Sequence, residues 1–194
     1  MNTADIETLK LELSLKAKNG LNFIIAASMV WLLISYVWTL PYSAYDKSIM
    51  TFIVGAIMLP LAWLLSKFMK TEWTVKGNPL QPLGLWLNFA QLFYFPFLIL
   101  MLIKSPDYFV MTYVIITGAH FFPYAWYYDE KAYAIMAGVI SFGALAIGLS
   151  VTAERMFIVP LFMGIALVIL SVLLFLSYQR KRKLSMQPSP GEII

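Results

Sequence analysis

Residues 108–128 read YFVMTYVIITGAHFFPYAWYY, twenty-one residues with no Asp, Glu, Lys or Arg. An apolar helix of about 20 residues crosses a bilayer, so this run predicts a membrane span. Its second half holds the pattern GAHFFPYAW at 118–126, and the same frame recurs as GAIMLPLAW at 55–63. Gly, Ala, Pro, Ala and Trp match, whereas the third place is Ile57 in one copy and His120, the single histidine of the chain, in the other. A proline inside a helix cannot donate to the carbonyl four residues back and displaces it. Pro60 and Pro123 therefore predict kinks that free the carbonyls of Ala56 and Ala119. Gly55 and Gly118 admit a close helix neighbour just before each kink, and Trp63 and Trp126 suit the headgroup level.

Working outward, the chain holds five more such runs. Spans are predicted at about 22–40, 48–68, 83–103, 108–128, 132–151 and 156–178, and the one charged residue within these bounds is Lys67, at the end of the second. Of the 194 residues 61% are hydrophobic and only 12% charged, with a mean hydropathy of +0.77. A soluble domain carries about a quarter charged residues. The expected fold is all-α: a polytopic membrane protein of six transmembrane helices. Residues 1–21 form an N-terminal segment, where Ile6, Leu9, Leu13 and Ala17 recur at helical spacing as in an interfacial helix. Residues 22–179 form the membrane domain, and 180–194 a basic tail expected to be disordered.

Lysine and arginine set the orientation. Lys10, Lys16, Lys18, Lys67, Lys70, Lys76, Lys131, Arg180, Lys181, Arg182 and Lys183 fall on one side of the six spans. Only Lys47, Lys104 and Arg155 fall on the other. Both termini are thus expected in the cytoplasm. The net charge of +4 then reflects membrane orientation, and no basic-aromatic interleaving suggests nucleic-acid binding. The two copies of the pattern lie on the second helices of successive hairpins, and Asn22-Phe23 and Asn88-Phe89 open the first helices. The first four spans read either as two parallel hairpin repeats or as coincidence in a biased composition.

The candidate site follows from depth and spacing. His120 lies about seven residues, roughly 10 Å, inside its span. Gln91 enters the third span to a similar depth, with Asn88 one turn shallower and Tyr94 three residues on. With Tyr124 one turn after His120, these residues are expected to share a polar layer, joined by Ser28 and Ser171 if the first and sixth spans close the bundle. An intramembrane histidine marks a functional site by default. The structural alternative is a bond from His120 to Gln91 that fastens two helices. The rim of Trp126, Tyr128, Asp129 and Glu130 reads as an aromatic belt ending in a turn, or as a mouth for cationic headgroups.

Catalysis is not expected. No buried carboxylate accompanies His120, cysteine is absent, and one histidine does not make a metal site; no metal and no cofactor is implied. The stretches NPLQPLGLWLNFAQLFYFPF at 78–97 and ITGAHFFPYAW at 116–126, with SLKAKNGLNF at 14–23, resemble a family of small uncharacterised bacterial membrane proteins, some labelled permease-like. The resemblance implies a bacterial cytoplasmic membrane and transfers no residue role. The leading expectation is a small transporter-like or ligand-binding membrane protein. The alternatives are a non-catalytic accessory or scaffold protein and, third, a lipid-modifying enzyme. The partners expected are the lipid bilayer and a second copy or a membrane partner protein.

Overall fold

The computed structural model describes residues 3–186, whose regular elements are all helices, with no strand among the described residues. The helices are α1 (Thr3–Lys16), α2 (Leu21–Thr39), α3 (Ala44–Gly55), α4 (Met58–Met69), α5 (Gln81–Leu92), α6 (Phe95–Lys104), α7 (Phe109–His120), α8 (Tyr124–Tyr127), α9 (Lys131–Ser150) and α10 (Ile158–Ser185). Short 3-10 turns at Lys18–Gly20, Pro106–Tyr108 and Ala153–Arg155 join α1 to α2, α6 to α7 and α9 to α10.

Five helical segments are long and apolar enough to cross a membrane: Lys18–Thr39, Ala44–Met69, Gln81–Lys104, Lys131–Ser150 and Ala153–Ser185. The expected fourth span is not among them because it is broken. α7 stops at His120, three turn residues follow, and α8 is a single turn that begins after Pro123. The carbonyl of Ala119 accepts from the Phe122 amide at 3.1 Å, so the carbonyl expected to be freed is reclaimed within the turn. The first copy of the pattern breaks α3 from α4 at residues 56–57, three residues ahead of Pro60, and Leu61 N reaches back to Ile57 O at 3.0 Å. A third break, at residues 93–94, precedes Pro96 and divides α5 from α6. The same missing donor explains it.

Four helices form the centre. α10 packs along α2 and α9, and α7 packs along α9 and α10. Glycine permits each approach. A Cβ on Gly164 of α10 would stand 2.7 Å from the Leu32 side chain of α2, and one on Gly143 of α9 2.5 Å from Phe162 of α10. A Cβ on Gly118 of α7 would stand 2.5 Å from Ile140 of α9, and one on Gly148 of α9 2.4 Å from Met111 of α7. Small residues at helix crossings are the usual means of association in an apolar medium, where dispersion contacts rather than water exclusion hold helices together. Trp31, Ile34, Val114, Ile140, Met163, Leu167 and Leu170 fill the centre.

The second and third expected spans are peripheral. α4 packs on α2 and α5 on α7. Only 17% of the best window in Ala44–Met69 is buried and 6% of that in Gln81–Lys104, against 67% in Lys18–Thr39. The two spans meet at their far end through rings. Phe52 lies 5.1 Å from Phe109 and 6.1 Å from Phe95, and Tyr113 joins Phe52, Phe95, Phe109 and Trp31.

At the other end α1 lies beneath the bundle. Leu13, expected on its apolar face, is buried. The 70–80 loop wraps it: Asn78 donates to Leu9 O at 3.0 Å and to Glu12 at 2.8 Å, and Glu72 N donates to Lys16 O at 3.0 Å. The chain enters α2 through Gly20 at φ +73, where a Cβ would crowd Tyr133 and Tyr128. The basic segment from Arg180, expected to be disordered, continues α10 as helix through Ser185, and residues 187–194 lie outside the described residues.

Candidate functional site

α5 and α7 form an antiparallel seam whose register is set by three contacts. Phe95 meets Tyr113 at a ring distance of 6.1 Å. Gln91 Nε2 donates to Thr117 Oγ1 at 3.3 Å. Gly84 sits against the Tyr127 hydroxyl, 2.6 Å from where its Cβ would stand. Side chains three and four apart share a helix face, so Thr117 and His120 of α7 look toward α5, and Gly84, Asn88 and Gln91 look back; Tyr127, beyond the break at 121–123, meets Gly84 from α8. This register sets Asn88 opposite His120.

The expected polar layer is therefore partly assembled, with different partners. Gln91 bonds Thr117, not His120. Asn88 Nδ2 donates to its own Gly84 O at 2.8 Å, and its side chain is exposed. His120 makes no hydrogen bond among the described residues; its ring touches Phe121 and stands edge-on to Tyr124 at 5.3 Å. The His120 side chain is only partly buried. Tyr94 does not join the layer: the break at 93–94 turns it out, and it is 58% exposed. Ser28 bonds Ile24 O within α2, and Ser171 faces a groove on the far side of α2. Thr117, not singled out above, is the additional polar member. Its place one turn before His120 was the available signal.

Tyr124 lies in a ring cluster with Tyr127, Tyr128 and Tyr133, at 5.8–6.1 Å between centroids. Its hydroxyl is buried without a partner. A buried donor left unpaired costs about 1–3 kcal/mol, and such a group beside His120 is a second unused hydrogen-bonding position.

The expected rim is in part a clamp. Trp126 and Asp129 are exposed, and the Lys10 ammonium stands 4.1 Å above the Trp126 ring. Trp63, its counterpart in the first copy, carries Lys67 at 5.4 Å. Tyr128 is buried, and its carbonyl accepts from Ser14 and from Lys181 Nζ at 2.6 Å. Asp129 takes φ +48 and offers its carbonyl to Lys181 at 3.0 Å. Glu130 caps α9 through Ala132 N and accepts from the Ser177 hydroxyl. Lys181 also reaches Ser14 Oγ at 3.1 Å and Asn19 Oδ1 at 3.4 Å. The Tyr128 and Asp129 carbonyls and the Glu130 carboxylate are engaged, so the cluster fastens α1, α8, α9 and α10, while the Asp129 side chain lies exposed.

Outside the membrane segments, Lys16 at 2.9 Å and the Asn78 amide hold the Glu12 carboxyl below its ordinary range. A cavity of about 230 Å³ lies among Trp63, Ser66, Lys67, Thr71 and Trp73, and a groove of about 430 Å³ lies between α2, α4 and α10. His120 lines neither. Among the described residues no three His, Asp or Glu side chains come together as a metal site would require.

No curated protein and no solved structure matches this chain. A family model described as a family of unknown function matches residues 6–177, nearly the whole described region. The chain belongs to that family, DUF7010.

Proposed function

We propose that this chain is a six-span membrane protein, with both termini in the cytoplasm, that binds a small molecule at the α5–α7 seam. One observation carries the reading. His120 is partly buried and makes no hydrogen bond among the described residues, and the proposed span sets it about 10 Å inside the membrane. A polar ring left unpaired in hydrocarbon is costly, and a ligand with a hydroxyl, amide or carboxyl would relieve that cost. Asn88 across the seam and the unpartnered Tyr124 hydroxyl add further donors and acceptors. Thin packing of α5 supports access, because one helix can yield without disturbing the four central ones.

The site would serve a transporter-like or receptor-like role in a bacterial cytoplasmic membrane. Its chemistry is recognition by hydrogen bonding, with no catalytic step. The two copies of the Gly-Ala-Pro-Ala-Trp pattern fit parallel hairpin repeats whose second copy gained the histidine.

The test is the unfolding midpoint of the purified protein in detergent, screened against hydrophilic metabolites and amphiphiles. A compound that raises the midpoint of wild type, but not that of a folded His120→Ala variant, is the expected result, since a ligand stabilises the state it binds. If no compound shifts wild type and His120→Ala only melts earlier, the histidine is packing and the proposal fails. The second reading, an accessory protein that covers a partner, rests on the long apolar faces of Ala44–Met69 and Gln81–Lys104. It predicts a stoichiometric membrane partner or second copy cross-linking through Trp86 or Phe93, both largely exposed.

A further inference from the structure

The groove between α2, α4 and α10 lies away from the α5–α7 seam. It is lined by Leu21 and Ile25 of α2, Leu65 and Met69 of α4, and Ser171 and Phe175 of α10, among others, and holds about 430 Å³. Its wall is apolar, and the Ser171 hydroxyl behind it is buried without a partner among the described residues.

The end of the groove nearest the termini is cationic. Lys18 lies one turn before Leu21, and its ammonium donates to Met69 O at 2.6 Å and stands 5.6 Å from the Tyr178 ring. An ammonium has three donors, so further hydrogens remain for a ligand. Lys70 follows Met69 directly in a left-handed turn at φ +54 and is exposed. On α10, Ser171, Phe175, Tyr178 and Arg182 recur at four, three and four residues and so share a face; Arg182 continues the stripe past Tyr178 and is exposed. The three lining helices contain no Asp or Glu. On α1, Glu7 and Glu12 are paired with Lys10 and Lys16, and Glu72, in the loop two residues after Lys70, is exposed and near Lys16.

An apolar trough that ends in three cations, with no acid on its walls, complements one kind of molecule. We propose that the groove is a binding site for an anionic phospholipid. One acyl chain lies along Leu21, Ile25 and Phe175, and the phosphate is received by Lys18 with Lys70 and Arg182 at the rim. From Ser171 to Tyr178 the helix rises about 10 Å at 1.5 Å per residue, so the chain occupies the headgroup-proximal half of one leaflet. The ester region then comes within reach of the cations. Zwitterionic lipids fit the trough but present their own ammonium to the lysines, so charge sets the preference.

The experiment uses the full-length protein in neutral detergent and follows its unfolding midpoint. The probes are short-chain phosphatidylglycerol, phosphatidylcholine of the same chain length, and inorganic phosphate. Phosphatidylglycerol is expected to raise the midpoint by several degrees, phosphatidylcholine by much less, and inorganic phosphate not at all. Val172 also lines the groove and is 54% exposed. Val172→Trp fills the trough and is expected to abolish the phosphatidylglycerol shift while leaving the lipid-free midpoint near that of wild type. Leu176→Trp, on an exposed position outside the groove, keeps the shift. Lys70→Gln together with Arg182→Gln, which removes rim charges without touching the Lys18–Met69 bond, is expected to weaken phosphatidylglycerol by about ten-fold and phosphatidylcholine not at all. Equal shifts from both lipids, a shift from inorganic phosphate alone, or a phosphatidylglycerol shift that survives Val172→Trp would each overturn the proposal.

Discussion

Lys181→Met is the most informative single change, because the methionine keeps most of the stem and removes only the ammonium. Lys181 Nζ donates to two backbone carbonyls where α8 ends, Tyr128 at 2.6 Å and Asp129 at 3.0 Å, and to Ser14 of α1. A cation at the C-terminal end of a helix satisfies carbonyls that have no helical partner. Hydrogen bonds to a charged group contribute about 1.5–3 kcal/mol each. Lys181 is partly exposed, so the lower figure applies, and two carbonyl bonds come to about 3 kcal/mol. The loss should be local. α1 is held here through Ser14 and Asn19, and elsewhere by the 70–80 loop, whereas the centre of α10 packs on α2 and α9 through contacts the substitution leaves alone. Hydrogen exchange of the protein in detergent would therefore quicken about a hundredfold in peptides covering 5–20 and 125–135, since 1.4 kcal/mol is a factor of ten, and stay unchanged in 159–170. Lys183→Met, at an exposed neighbour, is the control and should alter neither region. If Lys181→Met leaves α1 exchange within about threefold of wild type, or loosens all helices equally, the clamp does not hold α1 and the reasoning is wrong.

Two further outcomes follow from the packing and from the one ion pair with a resolved shift. Gly118→Ala puts a methyl 2.5 Å from Ile140 Cγ2. Overpacking of this kind costs about 1–3 kcal/mol, and adding Ile140→Ala should recover part of it, whereas Gly138→Ala, with nothing within 4 Å, should be neutral; an equal effect at the two glycines would refute the close-approach argument. Lys16 and then Asn78 depress the Glu12 pKa, so the carboxylate adds stability that is complete above its unfolded value of about 4.5 and is lost as pH falls through the lower folded value. The melting difference between wild type and Glu12→Gln should accordingly be present at pH 7 and close toward pH 3.5, and a constant difference would exclude that linkage.

Much of the site was legible because spacing within a helix is rigid. Thr117 must share a face with His120, as Gly84 must with Asn88 and Gln91, and a short turn makes the two helices antiparallel. Which groups then bond was not legible. Gln91 chose Thr117 over His120 because the register across the seam depends on where Phe95 meets Tyr113. The rim residues left a belt and a mouth both open because Tyr, Asp and Glu at a span's end look alike whether they face water or a clamp. The clamp depends on Ser14 and Lys181, more than fifty residues away on either side.

By itself the sequence determined the helical class, the apolar segments long enough to cross a membrane, the apolar face of α1 and the proline-linked breaks after Gly55 and His120. Each of these follows from local chemistry: hydropathy, spacing, or a missing amide proton. The break before Pro96 obeys the same rule. Only the tertiary structure decided that α2, α7, α9 and α10 form the centre while Ala44–Met69 and Gln81–Lys104 stay peripheral. In an apolar medium a side chain facing lipid and one facing a helix have the same polarity, so hydropathy does not rank the spans. The glycines at 118, 143, 148 and 164 do, and what each one meets becomes visible only when the helices are brought together.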